Sequence, residues 1–363
     1  MQGPTRICVI GLGLIGGSIG MALVQRQAGP EVVGVDIDPA VVAMASRQEA
    51  VHRATTDPAE GVAGADLVVL AVPPGRMGKV MRALAPHLDP EAVVTDVAST
   101  KEIVTREIET ALPVGRHYLG GHPMAGSERA GLGAADPYLF ENAAWALTPT
   151  ARTTPRARQM VTWLVRTLGA HPLILSPEEH DLGVALASHL PYLVAVALVN
   201  TLNGNEGAQR LAGRGFRDTT RVAASDPRLW REIITSNRAR ILAVLQRFQR
   251  NLQDLASAVE SGRESDLEER LARGREGRRR LPSGLRPYLP ALYEVVITIP
   301  DRPGALARVT GALGEAGINI ADIEIMGVRE GEAGSIRLGF AKEPEAARAL
   351  AVLQAAGIRC RRR

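Results

Sequence analysis

Apolar residues recur along this chain in three rhythms, and each predicts a different kind of element. The first is the short unbroken run. Residues 6–10, 32–35, 65–72, 92–97, 118–121 and 143–148 are nearly continuous apolar stretches of strand length. Such runs read as strands buried on both faces of a sheet. Helical stretches, 17–27 and 100–111 among them, lie between. Strands alternating with helices predict an α/β unit with a mostly parallel, doubly wound sheet. Ligands of such sheets bind outside the carboxyl ends of the strands.

The second rhythm starts near residue 176. Apolar positions recur at helical spacing over 227–259 and on through Leu271, and no strand-like alternation interrupts them. This predicts an all-α domain. Its most apolar stretch, 184–202, approaches the length of a membrane span but contains Ser188, His189, Pro191 and Asn200. It is expected to be a central buried helix, with no membrane partner. It and the helices after Pro227 carry more apolar surface than one small domain needs, which predicts a two-fold homodimer built through this domain.

The third rhythm is alternation, which returns at 293–299. Helical spacing follows over 305–316, then strands near 318–320 and 335–341, a helix over 344–356 and a short strand at 358–360. The order βαββαβ predicts a small ferredoxin-like α+β domain. Four segments result. They are 1–172, the sheet domain; 173–280, the helical domain; 281–292, a proline-rich linker; and 293–363, the C-terminal domain.

The first strand runs straight into Gly11-Leu12-Gly13-Leu14-Ile15-Gly16, and a helix follows. Gly11 permits a tight turn, Gly13 lets the backbone approach a pyrophosphate, and Gly16 lets helix and strand pack closely. The phosphates would meet the free N–H groups at the helix N-terminus. The second strand ends in Asp36, 20 residues after Gly16. A carboxylate there accepts from a ribose 2′-OH and repels a 2′-phosphate, which favours NAD over NADP. The sheet is therefore expected to be of Rossmann type. Leu14, Ile15, Val72 and Pro73 complete the expected cofactor lining.

The stretch Gly120-Gly121-His122-Pro123-Met124-Ala125-Gly126-Ser127-Glu128 reads as an ordered loop carrying a histidine. Beside a nicotinamide site, His122 is a candidate general base for oxidising an alcohol carbon. Ser99 suits both a substrate hydrogen bond and the N-cap of the helix over 100–111. Lys101 is expected on the solvated face of that helix. Residues 213–221, Gly-Arg-Gly-Phe-Arg-Asp-Thr-Thr-Arg, read as a cation-rich loop, and an arginine fork is a natural receptor for a carboxylate.

Composition narrows the picture. The 363 residues are 45% apolar, enough for real cores, and carry a formal charge of +4. Arginine clusters at 270–280 and 359–363 lack aromatic interleaving, so no nucleic-acid partner is expected. No metal-binding constellation stands out. Two cysteines, Cys8 in an expected buried strand and Cys360 far from it, suit a reducing cytoplasm. No signal peptide is expected ahead of the first strand.

With these motifs together, residues 1 to about 280 resemble the prephenate dehydrogenases, the TyrA family of tyrosine biosynthesis. The marks are the segment 121–128, the segment 96–101, Ser188-His189-Leu190-Pro191 and residues 215–221. Residues 293–363 resemble an ACT domain through Asp301-Arg302-Pro303-Gly304-Ala305-Leu306 and Gly317-Ile318-Asn319-Ile320. The resemblance implies NAD-dependent oxidative decarboxylation of prephenate to 4-hydroxyphenylpyruvate. It implies that His122 is the catalytic histidine and that Ser99 hydrogen-bonds both the ring hydroxyl and that histidine. It implies that Arg221 holds the ring carboxylate, and that Ser127, Glu128, His180 and Ser188 line or close the pocket. Many members read Ser-His-Leu-Pro-His, whereas this chain has Tyr192 at the last position, so arogenate or dual specificity is an alternative. L-tyrosine is the implied effector, bound near Asp301, Gly304 and Asn319. Two other readings are a homoserine dehydrogenase with an ACT tail and a non-catalytic NAD- and amino-acid-responsive protein. The histidine segment and residues 215–221 argue against the first, and the intact His122 and Asp36 against the second.

Overall fold

The computed structural model describes residues 3–126, 129–280, 292–300, 302–327 and 334–362. Ser127, Glu128, Asp301 and nearly all of the linker therefore lie outside the described residues. The chain forms two compact units, residues 1–274 and 275–363.

The first unit is built on eight strands: β1 Arg6–Ile10, β2 Glu31–Val35, β3 Arg53–Thr55, β4 Leu67–Leu70, β5 Val93–Asp96, β6 His117–Pro123, β7 Ala144–Thr148 and β8 His171–Ile174. Their spatial order is β3-β2-β1-β4-β5-β6-β7-β8. All neighbours are parallel except β6 and β7. The doubly wound sheet is thus as expected, with β3 and β8 added at its edges.

Alternation within the apolar runs feeds two cores. Ile7, Val9, Leu67, Val69 and Val93 face one layer with Ile19, Leu23, Val161, Leu164 and Val165. Cys8, Ile10, Val68, Leu70 and Val94 face the other with Met77, Met81, Val104 and Ile108. Both faces are covered, which is why these strands read as continuous rather than alternating. Strand order reverses between β1 and β4, so a crevice opens at their carboxyl ends.

The helical part follows β8. Ser176 caps the helix Pro177–Val184 in a capping box with Glu179, and Pro177 holds the first turn. A π-helical turn, Ala185–His189, leads into the helix Leu190–Leu202. Later come Arg214–Thr220, Pro227–Ser236, Arg238–Ser261 and Glu264–Arg280.

Two expectations fail here. Residues 214–220 are a helix rather than a loop, and Arg214 pairs with Asp218 one turn on, at 3.5 Å. Nor is 184–202 a central buried helix. Only Tyr192 and Ala195 are buried in its Leu190–Leu202 portion. Leu182, Leu186 and Leu198 are exposed, as are Leu242, Leu252, Leu255 and Val259 on the long helix. One chain supplies only a small core here, around Ala185, Ile241 and Val244. The run Pro177–Leu202 is long and apolar enough to cross a bilayer, but its buried polar residues are tied into the site described below.

The second unit has β9 Tyr293–Ile299, β10 Asp322–Gly327, β11 Gly334–Phe340 and β12 Arg359–Arg362, in the antiparallel order β10-β11-β9-β12. Helices Ala305–Glu315 and Glu343–Ala355 cover one face through Val309, Leu313, Ala349 and Leu353. The expected βαββαβ order is present. On β11, Ile336, Leu338 and Phe340 join this core. Alternation turns Arg337 to the opposite face, where it meets Glu294, Asp322 at 3.4 Å and Glu324 at 2.6 Å.

Leu164 is fully buried between the sheet and its helix layer. Leu164→Ala should cost about 2–5 kcal/mol. Ser176→Ala, which loses only a cap, should cost about 1 kcal/mol. Denaturant unfolding followed by tryptophan fluorescence should rank them in that order; equal costs would mean that the helix layer is not the core assigned here.

Candidate active site

The glycine turn closes the β1 end of the crevice. Gly11 has φ +95°, and a Cβ there would lie 2.6 Å from the Ala71 carbonyl oxygen. A Cβ on Gly16 would come within 1.9 Å of the Gly11 carbonyl oxygen. Gly13 differs, since nothing lies within 4 Å of where its Cβ would be. The turn is therefore packed tightly behind and open in front, as a backbone that receives a pyrophosphate must be. Asp36 is anchored on it, its two oxygens accepting the Leu12 N–H at 2.8 Å and the Asp38 N–H at 3.0 Å. The carboxylate is half-buried and stands beside the turn. Leu14 and Ile15 open the following helix, and Val72 and Pro73 follow β4. These residues fit a dinucleotide.

The second group lies on the same edge of the sheet. Pro73 follows β4, Ser99 follows β5 and His122 ends β6, and neighbouring strands are about 5 Å apart. The histidine segment is not wholly a loop. Residues 120–123 extend β6 and pair antiparallel with β7, His122 opposite Ala146. The two glycines allow this. A Cβ on Gly121 would sit 2.8 Å from both the Asp96 carbonyl oxygen and Trp145 Nε1. His122 is thereby held by a strand ladder, and its ring stays half-buried.

Behind His122 stands His180, fully buried, with its Nε2 2.8 Å from His122 Nδ1. The rings meet edge to face at 5.0 Å between centroids. His180 Nδ1 in turn lies 2.8 Å from Asp181 Oδ1. His180 thus backs the catalytic candidate from the interior. Burial, above all, holds His122 well below the usual histidine pKa, with His180, Lys101 and His189 adding to the shift. At neutral pH its imidazole is uncharged, which a general base requires.

Lys101 overturns its expected place on a solvated helix face. It is fully buried, forms a short ion pair with Asp96, and donates from Nζ to the Gly121 carbonyl at 2.6 Å. Asp96 also accepts from Tyr118 Oη at 2.8 Å and from the Ala98 N–H at 2.8 Å. Burial pushes the Lys101 pKa down, while Asp96 and then Asp181 push it back up. The helix here is Glu102–Ala111, starting later than expected, and Ser99 is not its cap. The donors at its start, the Lys101 and Glu102 N–H groups, reach across to Asp181 at 2.7 and 2.9 Å. Ser99 is half-buried in the preceding loop.

The remaining expected residues lie on the helical side. Ser188 is half-buried in the π-helical turn. Tyr192 is buried and stacks on Trp230 at 3.6 Å, while His189 lies perpendicular to the same indole at 6.0 Å between centroids. His189 is pushed down to about 4, chiefly by burial. Arg221 opens a short 3₁₀ turn and is exposed in the single chain. In the second unit Gly304 caps the helix Ala305–Glu315 at φ +84°, and Asn319 is exposed just before β10. Sequence reasoning missed Asp96, Lys101, Asp181 and Trp230. The five-residue spacing of Asp96 and Lys101 was the one available signal.

Comparison with known proteins matches three family models in succession. They are the prephenate dehydrogenase nucleotide-binding domain over 19–174, the prephenate dehydrogenase dimerization domain over 176–273 and the ACT domain over 293–356. The prephenate dehydrogenase of Bacillus subtilis is 33% identical over 354 residues, covering 96% of this chain and 95% of that protein. A cyclohexadienyl dehydrogenase of Zymomonas mobilis is 35% identical over 261 residues, covering 70% of this chain and 88% of that protein. The crystal structure of Aquifex aeolicus prephenate dehydrogenase, in complex with hydroxyphenyl propionate and NAD+, superposes with a TM-score of 0.71 at 29% identity, over 76% of this chain and 97% of that one. Its sheet, its helices and its near full-length likeness to the Bacillus enzyme make one assignment: this chain belongs to the prephenate dehydrogenase family.

Proposed function

We propose that this enzyme carries out the NAD-dependent oxidative decarboxylation of prephenate to 4-hydroxyphenylpyruvate. The observation that carries the reading is a strand-held His122, its pKa held low chiefly by burial, on the same sheet edge as an open glycine turn with its anchored carboxylate, Asp36. The Aquifex enzyme, solved with NAD+ and a hydroxyphenyl ligand, supports it.

When bound, NAD supplies the hydride acceptor for C4 of the substrate ring. Asp36 selects it by accepting from the ribose hydroxyls and repelling a 2′-phosphate. His122 takes the proton of the C4 hydroxyl as that carbon gives up its hydride. The C1–carboxylate bond then breaks, its electron pair enters the ring, carbon dioxide leaves, and the phenolate of the now aromatic ring takes a proton back from His122. Ser99 hydrogen-bonds the hydroxyl, and Arg221 holds the ring carboxylate. The work of the protein is orientation, charge pairing and water exclusion. Ser188 completes the pocket in this reading. A second reading, use of arogenate, rests on Tyr192, whose stacked neutral phenol stands where many relatives have a histidine.

The exposed leucines of the helical part are covered by a second copy in a two-fold dimer, which its match to a dimerization domain supports. The ACT unit binds an amino acid, L-tyrosine by family analogy, near Gly304 and Asn319. Such an effector acts only by preferring one state of the enzyme.

Turnover with prephenate, arogenate and homoserine, each with NAD and NADP, tests the function directly. Prephenate with NAD should be the best pair, and Asp36→Ser should narrow the NAD/NADP ratio. Faster wild-type turnover with NADP would refute the ribose argument.

His122→Asn should lower kcat by roughly 10²–10⁴ and leave dinucleotide affinity near wild type. The depressed His122 pKa moves the acid limb of kcat/KM well below pH ~6.5, the ordinary histidine value. Stability depends on the same groups. His122 and His189 titrate low in the folded chain, so the unfolded chain binds more protons as pH falls from about 6.5, and stability falls with it. A pH–rate profile that is half lost near 6.5 would contradict the uncharged base.

A chain truncated after Pro290 should remain a dimer by light scattering and keep its dehydrogenase activity, but lose its response to L-tyrosine. Inhibition that survives truncation unchanged would assign tyrosine to the active site instead.

A further inference from the structure

The Asp181 carboxylate lies where two parts of the fold meet, and three N–H donors face its oxygens. Oδ1 accepts the Lys101 N–H at 2.7 Å and faces His180 Nδ1 at 2.8 Å, and Oδ2 accepts the Glu102 N–H at 2.9 Å. Its own backbone carbonyl accepts from Asn237 Nδ2 at 2.8 Å. The side chain is fully buried.

Donor and acceptor counting then fixes protons along a line. A carboxylate can only accept, so the proton between Asp181 and His180 belongs to His180 Nδ1. When His180 carries that one proton only, its Nε2 is left as an acceptor, 2.8 Å from His122 Nδ1. His122 Nδ1 must therefore carry a proton, and in the neutral ring the lone pair falls on Nε2.

We propose that Asp181 is a positioning residue for His122. Acting through His180, it holds His122 in the Nδ1–H tautomer with Nε2 bare, and by capping the helix Glu102–Ala111 it fastens the helical part to the sheet that carries the base. This rests on the reading of His122 as the base. When Nε2 takes the substrate proton, His122 becomes an imidazolium. Its Nδ1–H still points to His180, and Asp181 supplies the counter-charge at the far end of the line. One proton changes place, and no other bond within the triad is altered.

Asp181→Asn keeps the shape but removes the charge and puts an amide N–H among donors. The full-length enzyme, labelled with ¹⁵N-histidine and free of ligand, reports the tautomers by NMR, and steady-state kinetics and melting complete the measurement. The wild type should show His122 protonated at Nδ1 and bare at Nε2. Asp181→Asn should mix the tautomers and lower kcat by roughly 10²–10⁴-fold, with KM and dinucleotide Kd little changed. His180→Asn can still donate to Asp181, which keeps the helix cap, but it is too short to reach His122. It should melt near wild type and show the same tautomer change and the same loss of kcat, and it carries the test if Asp181→Asn fails to fold. A proton on His122 Nε2 in the wild type overturns the proposal. So does wild-type kcat in either folded variant, including one that merely melts lower. If the wild type does not turn over prephenate, the functional reading fails instead, and the tautomer measurement, which needs no substrate, still decides this one.

Discussion

The buried pair of Lys101 and Asp96 is the constraint on which the site depends. An ammonium and a carboxylate taken wholly out of water are costly, and their attraction offsets that cost only when the remaining donors and acceptors are also satisfied. Here they are. Lys101 donates onward to the Gly121 carbonyl, and Asp96 accepts from Tyr118 and from the backbone of Ala98. The pair thereby joins the end of β5 to β6, one residue before His122. Burial of the Tyr118 phenol beside Asp96 holds its pKa well above the usual value, so it remains a donor. Loss of either charge would leave the other unpaired in the interior, and the position of His122 would go with it.

The same short segment is gripped from the helical side. Thr100 bonds Ser236 at 3.0 Å, Glu102 pairs with Arg240 at 2.7 Å, and Asp181 caps the helix that begins at Glu102. Each link is polar and well placed, whereas the apolar core of the helical part is small. Polar contacts of this kind fix orientation more sharply than they add stability. The helical part is thus aligned on the sheet edge by the residues that surround the base, and chemistry and architecture share one set of hydrogen bonds. Burial that secures this alignment also keeps His122 uncharged.

Much of the architecture was legible in the sequence because it is written locally. An unbroken apolar run marks a strand covered on both faces, and the cores on either side of β1 and β4 bear this out. The three glycines of 11–16 announce a tight turn, and Gly11 and Gly16 have no room for a side chain. The order of elements in the C-terminal unit follows from its periodicity. The strands that went unread, Arg53–Thr55 and His171–Ile174, are short, half-exposed edges whose residues need not be apolar.

What the tertiary structure alone decided lies at long range. Lys101 looks like a solvated helix residue until β5, β6 and Asp181 close around it. Asp181 is 80 residues from the N–H group it caps, so no local rule could displace Ser99 from that role. Histidines 122 and 180 become a pair only because β6 and the helix Pro177–Val184 converge. The apolar stretch after Val184 reads as core from its composition, yet in a single chain most of it is surface, since hydrophobicity records that a face will be covered and not by which chain. By itself the sequence determined which chemical groups are present and which elements carry them. Folding decided which of those groups touch, and through that which proton each one holds.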